Sequence, residues 1–425
     1  MLALMFFMLF FLIIIGAPIA IALGGSSALW VYLSKAVPDF TILHRMVMGV
    51  DSFPLLAIPF FILAGNLMNA AGLTNQIFNF AKAVVGWLPG GLGHVNIGAS
   101  IIFAGMSGAA VADAGGLGTI EIKAMNDAGY DLDFSVAVTA ASSTIGPIIP
   151  PSLPMVIYGV MASASIGRLF IAGFIPGLLM GLALAIMVAF YAHKRHYPRD
   201  AKFSIKNLGV SFLQGLPALF TPVIIIGGII SGIFTPTEAA IAAVVYALIL
   251  GIVYRTLDFK KFVSISIETA ETTAVILLIV AGASIFAWVL TANQVTERFA
   301  AFFIGFTENK YLLLLVINIL LLIVGCFMET IASITILTPV LLPVAMRLGV
   351  DPVHFGVIMV LNLMIGLLTP PVGMVLFVLT RVAKIPFERA AKATFPFLLP
   401  LLIVLLLITY IEPFCMWLPS IVFAK

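Results

Sequence analysis

Charged side chains are scarce in this sequence. Asp, Glu, Lys and Arg make up 9% of its 425 residues, against about 25% in soluble domains. Long polar stretches are also missing, and the longest, residues 193–206, is too short to fold alone. No soluble domain is therefore expected. The net charge of +3 is spread over loops, which predicts no nucleic-acid partner.

Several chemistries lack their motifs. The only two cysteines, Cys326 and Cys415, sit in apolar contexts, so we expect packing residues and no disulfide framework. The sequence has no Gly-rich P-loop for ATP hydrolysis. It has no His-Glu-x-x-His or Cys-x-x-Cys pair for a transition metal. We therefore expect no enzyme activity and no organic cofactor.

Apolar residues are abundant, and 62% of the chain is hydrophobic. Residues 1–33 carry no charged side chain, and a membrane-spanning helix needs about 20 such residues. No Lys or Arg precedes this apolar stretch, which favours a first membrane helix over residues 1–23 rather than a cleaved signal peptide. The predicted fold class is an all-α integral membrane protein.

The sequence contains an internal repeat. Residues 105–151 match residues 325–371 at a constant offset of 220, without a gap. The match aligns Gly146 with Gly366 and places one Pro-Pro pair on the other. Interrupted apolar segments at corresponding positions in two halves indicate the binding site of a secondary transporter. We predict halves at 1–197 and 212–425, joined by a cytoplasmic connector at 198–211.

The basic residues predict how the two halves are oriented. Lys and Arg concentrate in residues 194–206, 255–261 and 381–392, and such segments are expected on the cytoplasmic side. The first-half equivalent of the last segment, residues 161–172, holds only Arg168. One helix separates it from the connector, so it must face outside. Equivalent loops then lie on opposite sides, which predicts two inverted-topology repeats.

Each half is predicted to contain a re-entrant hairpin followed by a broken helix. Hairpin arms are expected within about 95–125 and 312–346, because about 10–15 residues of helix are too short for a 30 Å hydrocarbon core. Broken transmembrane helices are expected at about 134–166 and 354–383, interrupted by Pro-Pro. Proline removes an amide donor and leaves carbonyls without helical partners. Those carbonyls are potential Na⁺ ligands, although neighbouring helices could also satisfy them.

Polar residues beside these breaks are candidates for binding a solute. They are Ser142, Ser143 and Thr144 before the first break, and Asn362 at the position matching Ser142. A small-residue packing face is the alternative. Asp113 and Glu329 lie at the two hairpin tips, where a buried acid indicates a functional site. A wet tip, or a helix cap at Asp113, is the alternative for these acids.

Residues 258–271 mix the charged residues Lys260, Lys261, Glu268 and Glu271 with apolar side chains. This pattern predicts an amphipathic arm at the cytoplasmic interface of the second half. A plain cytoplasmic loop remains the alternative for this segment.

The chain resembles the large membrane subunit of tripartite ATP-independent periplasmic (TRAP) transporters. Five stretches carry the resemblance: 53–65 (FPLLAIPFFILAG), 90–95 (GGLGHV), 146–152 (GPIIPPS), 232–239 (GIFTPTEA) and 366–373 (GLLTPPVG). One departure is Ala109-Ala110 in the first tip, where the resemblance implies Ser or Thr nearby.

The resemblance implies a Na⁺-driven importer of organic acids in a bacterial inner membrane, working as an elevator. It further implies a periplasmic substrate-binding protein and a small four-helix membrane subunit. That subunit is expected as a separate chain, since no such extension precedes Met1. The sequence looks most similar to the sialic acid branch, with C4-dicarboxylate as the next choice. A membrane-embedded enzyme using Asp113 and Glu329, or a proton-coupled antiporter acting alone, are the competing classes.

The expected Na⁺ sites combine hairpin tips with breaks. The first is expected to use Ser107 and Asp113 with carbonyls around Gly146, Ile149 and Pro150. The second is expected to use Glu329 or Thr330 with carbonyls around Gly366 and Thr369.

Overall fold

The computed structural model describes residues 1–295, 298, 305 and 309–423, with the side chain of Ser107 excepted. These residues contain helices and no β-strand. The first ten helices are α1 (Leu2–Ile14), α2 (Ile19–Ser34), α3 (Phe40–Val50), α4 (Ala57–Ala70), α5 (Leu73–Val85), α6 (Gly91–Ser107), α7 (Ala110–Gly115), α8 (Leu117–Asp127), α9 (Leu132–Ser143) and α10 (Leu153–Met161). The others described are α11 (Ile166–Arg195), α12 (Ile205–Ile230), α13 (Pro236–Val253), α14 (Phe259–Ala292), α15 (Lys310–Phe327), α16 (Thr330–Arg347), α17 (Pro352–Gly366), α18 (Met374–Ala383), α19 (Phe387–Tyr410) and α20 (Pro413–Val422).

Within the described residues, eight helical segments are long and apolar enough to cross a membrane. They comprise the helix around α4, together with α11, α12, α13, α14, α15, α16 and α19. The helices that flank the breaks are shorter: α9 has 12 residues and α10 has 9. A helix of 9 residues spans only about 14 Å, so neither part of this broken helix crosses the hydrocarbon core alone.

The two hairpins differ in their second arms. In the first half, the expected irregular tip contains the short helix α7, and the chain turns again at Gly116 before α8 begins. In the second half, α16 runs without interruption over 18 residues. The matching positions are Gly115-Gly116 and Thr335-Ile336. Glycine weakens a helix because its backbone has the greatest freedom, which accounts for the break in the first copy alone.

One end of the molecule, here called the connector face, gathers helix ends from the first half. The amide of Gly90 donates to Pro198 O at 3.0 Å, just before α6 begins. Arg195, at the end of α11, pairs with Asp131 at 2.6 Å, just before α9 begins. Arg389, near the start of α19, also reaches this face through Asp133 at 2.6 Å.

The opposite face gathers the corresponding ends of the second half. Lys310 Nζ donates to Gly349 O at 3.3 Å, which joins the start of α15 to the end of α16. The Tyr410 hydroxyl donates to Tyr311 O at 3.3 Å, so α19 ends here as well. The hairpin α6–α8 therefore opens at the connector face, and the hairpin α15–α16 opens at the opposite face.

Two expected segments take a helical form. The connector 198–211 is irregular only as far as Ser204, because α12 begins at Ile205. Residues 258–271, expected as an interfacial arm, are the first part of α14, which continues unbroken for 34 residues. Such a helix is about 51 Å long, so part of it extends beyond a hydrocarbon core of about 30 Å.

The two halves interlock through α10 and α17. The Tyr158 hydroxyl donates to Pro352 O at 2.7 Å, and its ring is fully buried. Gly356 lies directly beneath that ring: a methyl group there would meet ring carbons at 2.4 and 2.6 Å. This contact requires glycine, because a buried tyrosine in a close-packed interior has no room to move.

We expect Gly356→Ala to destabilise the protein by about 1–3 kcal/mol through overpacking. The control is Gly227→Ala in α12, where a methyl group meets nothing within 4 Å and alanine favours the helix. Thermal unfolding midpoints in detergent measure both changes. Equal midpoints for the two variants would show that α10 and α17 do not pack in this way.

Candidate functional site at the paired helix breaks

Each broken helix is interrupted where proline prevents helical hydrogen bonding. After α9 the chain turns through Gly146-Pro147 and continues to Ser152 before α10 starts. The Ser152 hydroxyl donates to Pro147 O and accepts from the amide of Met155 at 3.2 Å. It therefore caps α10 and also satisfies one of the carbonyls that the break exposes. The Pro-Pro bond is cis in both breaks.

The first hairpin tip lies against the first break. Gly108 ends α6 in the left-handed region, with φ +60. A methyl group at Gly108 would lie 2.4 Å from Pro151 O, so the backbones of tip and break touch. Asp113 reaches the same place from α7, since its Oδ2 lies 4.0 Å from the position of a methyl group on Gly146.

The second hairpin tip lies against the second break in a corresponding way. A methyl group on Gly366 would meet the carbonyl carbon of Gly325 at 2.5 Å. The amide of Val372 donates to Cys326 O at 3.2 Å. The Cys326 sulfur and the Thr369 hydroxyl are 3.0 Å apart. The structure thus brings Gly366 and Thr369 to one tip, as it brings Gly146 to the other.

Asp113 is buried, with 1% of its surface exposed. Neither of its carboxylate oxygens has a hydrogen-bond partner among the described residues. Ser100 on α6 lies beside this carboxylate, but the contact does not meet hydrogen-bond geometry. A buried, unpartnered carboxylate is costly unless a cation or a proton compensates it. Asp113 is therefore the strongest indication of a cation site at the first break.

Glu329 and Thr330 differ from Asp113. Glu329 is half-buried and caps α16: its Oε2 accepts from the amides of Ile331 at 2.8 Å and Ala332 at 3.2 Å. A carboxylate at a helix N-terminus is stabilised by the helix dipole. The Thr330 hydroxyl is buried and lacks a partner among the described side chains and backbone. Of the two, Thr330 is the residue with a buried oxygen that lacks a hydrogen-bond partner among the described residues.

The solute candidates of the first half face inward from α9. All three side chains are fully buried, and each hydroxyl donates to the carbonyl three residues earlier. These residues are Ser142, Ser143 and Thr144. Ser142 also donates to Asn96 Oδ1 at 2.6 Å, which ties α9 to α6. A solute would have to replace these bonds, and as the structure stands the three residues contribute to helix packing.

Asn362 occupies the equivalent place on α17. Its Nδ2 donates to Asn318 Oδ1 at 2.9 Å and to Ile358 O at 2.8 Å. Asn318 in turn donates to Thr409 at 3.0 Å, so the amide belongs to a chain that links α15, α17 and α19. The Asn362 Oδ1 has no partner among the described residues. That oxygen is the one free polar atom of this candidate.

The remaining candidates lie on the first break and tip. Ile149 is 4% exposed and Pro150 is buried. The side chain of Ser107 falls outside the described part of the chain, and only its backbone, the last residue of α6, is placed. The backbone of this tip and break is therefore described in full, whereas one proposed hydroxyl is not.

Sequence reasoning overlooked Glu121, which is fully buried on α8 with both oxygens unpartnered among the described residues. Asp113 is close enough to act on it electrostatically. Glu121 stands near Lys123, Asn126 and Asp127, and no local pattern in this polar segment sets Glu121 apart. Asn96 and Asn318 were also overlooked, although an amide within an apolar arm is a detectable signal.

The donors at the breaks are carbonyl, carboxylate and hydroxyl oxygens, which suit a hard cation such as Na⁺ rather than a transition metal. Within residues 1–295 and 309–423, no three His, Cys, Asp or Glu side chains converge as metal ligands. The observation in favour of a cation is the pair of orphaned Asp113 oxygens beside Gly146.

Comparison with known proteins decides the family. Residues 6–414 match the model of the family described as "Tripartite ATP-independent periplasmic transporter, DctM component". The chain belongs to this family. It is a multi-pass protein of the bacterial inner membrane and one component of a tripartite transporter. The proteins it resembles are transporter permeases, which supports a role other than catalysis.

The chain is similar to two TRAP transporter proteins in sequence and to one solved structure in fold. The chain is 49% identical to the sialic acid TRAP transporter large permease protein SiaM of Vibrio cholerae, over 96% of each chain. It is 46% identical to the sialic acid TRAP transporter permease protein SiaT of Haemophilus influenzae, over 96% of this chain and 66% of that longer protein. The crystal structure of the Alcanivorax borkumensis YdaH transporter shares the fold, with a TM-score of 0.62 and 16% identity over 88% of each chain.

The two break glycines of this TRAP permease should respond differently to alanine. A methyl group on Gly366 would lie 2.5 Å from backbone atoms of Gly325, whereas one on Gly146 meets nothing closer than 3.4 Å. We expect Gly366→Ala to cost about 1–3 kcal/mol by overpacking. We expect Gly146→Ala to cost less, because its methyl group would make only ordinary van der Waals contacts.

Thermal unfolding midpoints of the purified variants measure this difference. A midpoint for Gly366→Ala equal to that of the wild type would mean that the second tip does not touch its break.

Proposed function

We propose that this TRAP permease is a Na⁺-coupled importer of an organic acid, with sialic acid as the solute. The observation that carries the proposal is the contact of each hairpin tip with the helix break of its own half, together with the orphaned Asp113 carboxylate at the first. Broken helices near the membrane midplane are where secondary transporters hold their ions and substrates.

The proposed Na⁺ sites are those expected from the sequence. The first uses Ser107 and Asp113 with the carbonyls of Gly146, Ile149 and Pro150. Na⁺ accepts such oxygens, and its charge would compensate Asp113, which has no other partner among the described residues. This compensation is the physical reason to expect coupling.

The second Na⁺ site uses Thr330 or Glu329 with the carbonyls of Gly366 and Thr369. Thr330 is favoured as the side-chain ligand, because the Glu329 carboxylate already accepts two amides as the cap of α16.

The anionic solute is proposed to bind between the breaks. The N-termini of α10 and α18 lie directly after the breaks. A helix N-terminus carries a partial positive charge and attracts carboxylates. Ser142, Ser143, Thr144 and Asn362 are the proposed polar contacts, and a bound solute would exchange hydrogen bonds with them. Sialic acid is chosen over a C4-dicarboxylate because the relatives at 49% and 46% identity are named for it.

We propose two inverted-topology repeats at 1–197 and 212–425 that work as an elevator. The two hairpins open at opposite faces of the fold, which supports the inversion. The moving block comprises residues 95–153 and 312–377, and the outer helices within 1–33 and 220–253 stay fixed. In the family's three-part arrangement, a small membrane subunit and a periplasmic binding protein complete the system. One relative is longer than this chain, and the small subunit is proposed here as a separate chain.

Na⁺ coupling is tested in liposomes that contain this chain, the small subunit and the binding protein. We expect sialic acid uptake with an inward Na⁺ gradient and little uptake with K⁺, and the recovered solute should be chemically unchanged. Asp113→Asn should raise the Na⁺ concentration for half-maximal uptake about tenfold, the value of one charged contact. Asp127→Asn, at the exposed end of the same hairpin, is the matched control.

Uptake that is equally fast in K⁺ and Na⁺ would remove the coupling proposal, and uptake driven by a pH gradient alone would favour a proton-coupled transporter. Preferential uptake of succinate would transfer the solute assignment to C4-dicarboxylates. Full uptake without the binding protein would contradict the proposed partnership.

Elevator movement is tested by crosslinking α6 to α12. Gly105 lies against Pro222, since a methyl group on it would be 2.9 Å from Pro222 Cβ. In a background without native cysteines, Gly105→Cys with Pro222→Cys should crosslink the moving block to the fixed helices and stop uptake until the thiols are reduced. The control is Gly215→Cys with Phe80→Cys, both outside the moving block, where a methyl group on Gly215 would lie 3.4 Å from Phe80 Cβ. If both crosslinked pairs transport normally, the assignment of the moving block fails.

A further inference from the structure

A pocket of about 390 Å³ lies at the connector face, far from the breaks. The first half contributes Tyr191 and Arg195 from α11, and the second half contributes Arg389, Lys392 and Phe397 from α19. Asp133, near the start of α9, lines the pocket, whereas the break follows the end of that helix. The 12 residues of α9 separate the two by about 18 Å. The pocket is therefore distinct from the candidate transport site.

The pocket has a positive wall with spare hydrogen-bond donors. Arg195 uses one Nη for Asp131, and Arg389 uses its Nε for Asp133, both at 2.6 Å. Each guanidinium has five N–H donors, so both keep donors free for an anion. Lys392 is exposed and pairs with no carboxylate among the described residues. The two arginines are each balanced by an aspartate, so the positive charge of Lys392 remains uncompensated within the described part of the chain.

The floor of the pocket is aromatic and rigid. The rings of Tyr191 and Phe397 stack at 5.6 Å with an interplanar angle of 12°. Phe134 packs on both, at 5.8 and 6.0 Å. The Arg195 guanidinium lies over the Tyr191 ring at 5.2 Å. This stacking holds a guanidinium in place, and a fixed guanidinium is suited to phosphate recognition.

Apolar side chains continue from Lys392 along α19. The exposed residues Phe395, Leu399 and Ile403 follow one another at intervals of four, and Phe395 is 72% exposed. Residues three and four apart share one helix face, so α19 presents an apolar stripe that leads away from Lys392.

We propose that this pocket binds the headgroup phosphate of an anionic phospholipid from the cytoplasmic leaflet, with the acyl chains lying along the apolar stripe of α19. Basic pockets between membrane helices on the cytoplasmic side suit such headgroups. The end of α11 and the connector after it carry Lys194, Arg195, Arg199, Lys202 and Lys206, which assigns this face to the cytoplasm. A soluble anion would need the basic wall but not the apolar stripe of α19, and this is why a lipid is the occupant favoured. A lipid bound here bridges the two halves.

The test measures binding of phosphatidylglycerol to the full chain by native mass spectrometry in mild detergent. We expect phosphatidylglycerol to bind more tightly than phosphatidylcholine. Lys392→Gln should weaken phosphatidylglycerol binding about fivefold, the contribution of one basic residue at an anionic membrane surface, and Lys392→Arg should retain it. Lys123→Gln removes an equal charge from an exposed site on α8 and should leave binding unchanged.

Three results would overturn the proposal. Equal binding of the two lipids would remove the need for an anionic headgroup, and equal loss in Lys392→Gln and Lys123→Gln would reduce the effect to general charge. Glycerol 3-phosphate that displaces the lipid at matched concentration would make the occupant a soluble anion. The double variant Phe395→Ser with Leu399→Ser tests the acyl-chain contact separately from the headgroup contact. It should weaken lipid binding, and unchanged binding would contradict the proposed position of the acyl chains.

Discussion

Backbone polar groups inside a bilayer have no water to bond to, and each one left unsatisfied costs several kcal/mol. Helices satisfy their own groups, but this chain places Pro-Pro in the middle of two membrane segments. The structure meets the problem by bringing a hairpin tip onto each break. Gly108 touches Pro151, and Gly325 touches Gly366. Tips without a side chain at these points allow the backbones to approach. The first break, residues 146–151, is buried throughout, whereas Pro370 and Pro371 of the second break are exposed.

The polar side chains around the breaks follow from the same constraint. Ser142 bonds to Asn96, and Asn362 bonds to Asn318, so in each half the helix before the break is fastened to the first arm of its hairpin. Interhelical hydrogen bonds of this kind hold membrane helices together where apolar attraction between helices is weak. Each hairpin and its broken helix are therefore coupled mechanically, which suits a block that moves as one body. Asp113 stands outside this network, and its isolation makes it the most informative residue of the candidate site.

The halves also hold each other. Tyr158 of the first half bonds to Pro352 of the second at one face, and Arg389 of the second half pairs with Asp133 of the first at the other. The proposed moving block consequently draws elements from both repeats. The basic pocket lies at the second of these junctions, so a lipid bound there would act where the two halves meet rather than on one alone.

The sequence by itself determined the helical membrane class, the paired breaks and the family, because these depend on local properties. An apolar run of sufficient length needs a bilayer, and proline lacks its amide hydrogen in any surroundings. The Na⁺ ligands and the elevator stay predictions. Tertiary structure alone decided which polar groups are free. The hydroxyls of Ser143 and Thr144 looked available beside the break, yet both bond to carbonyls of their own helix. Glu121 belongs to no sequence motif, yet it is fully buried. It also decided that Gly366, unlike Gly146, touches the opposing backbone. Partners and burial are set by residues distant in sequence, and no local pattern contains those distances.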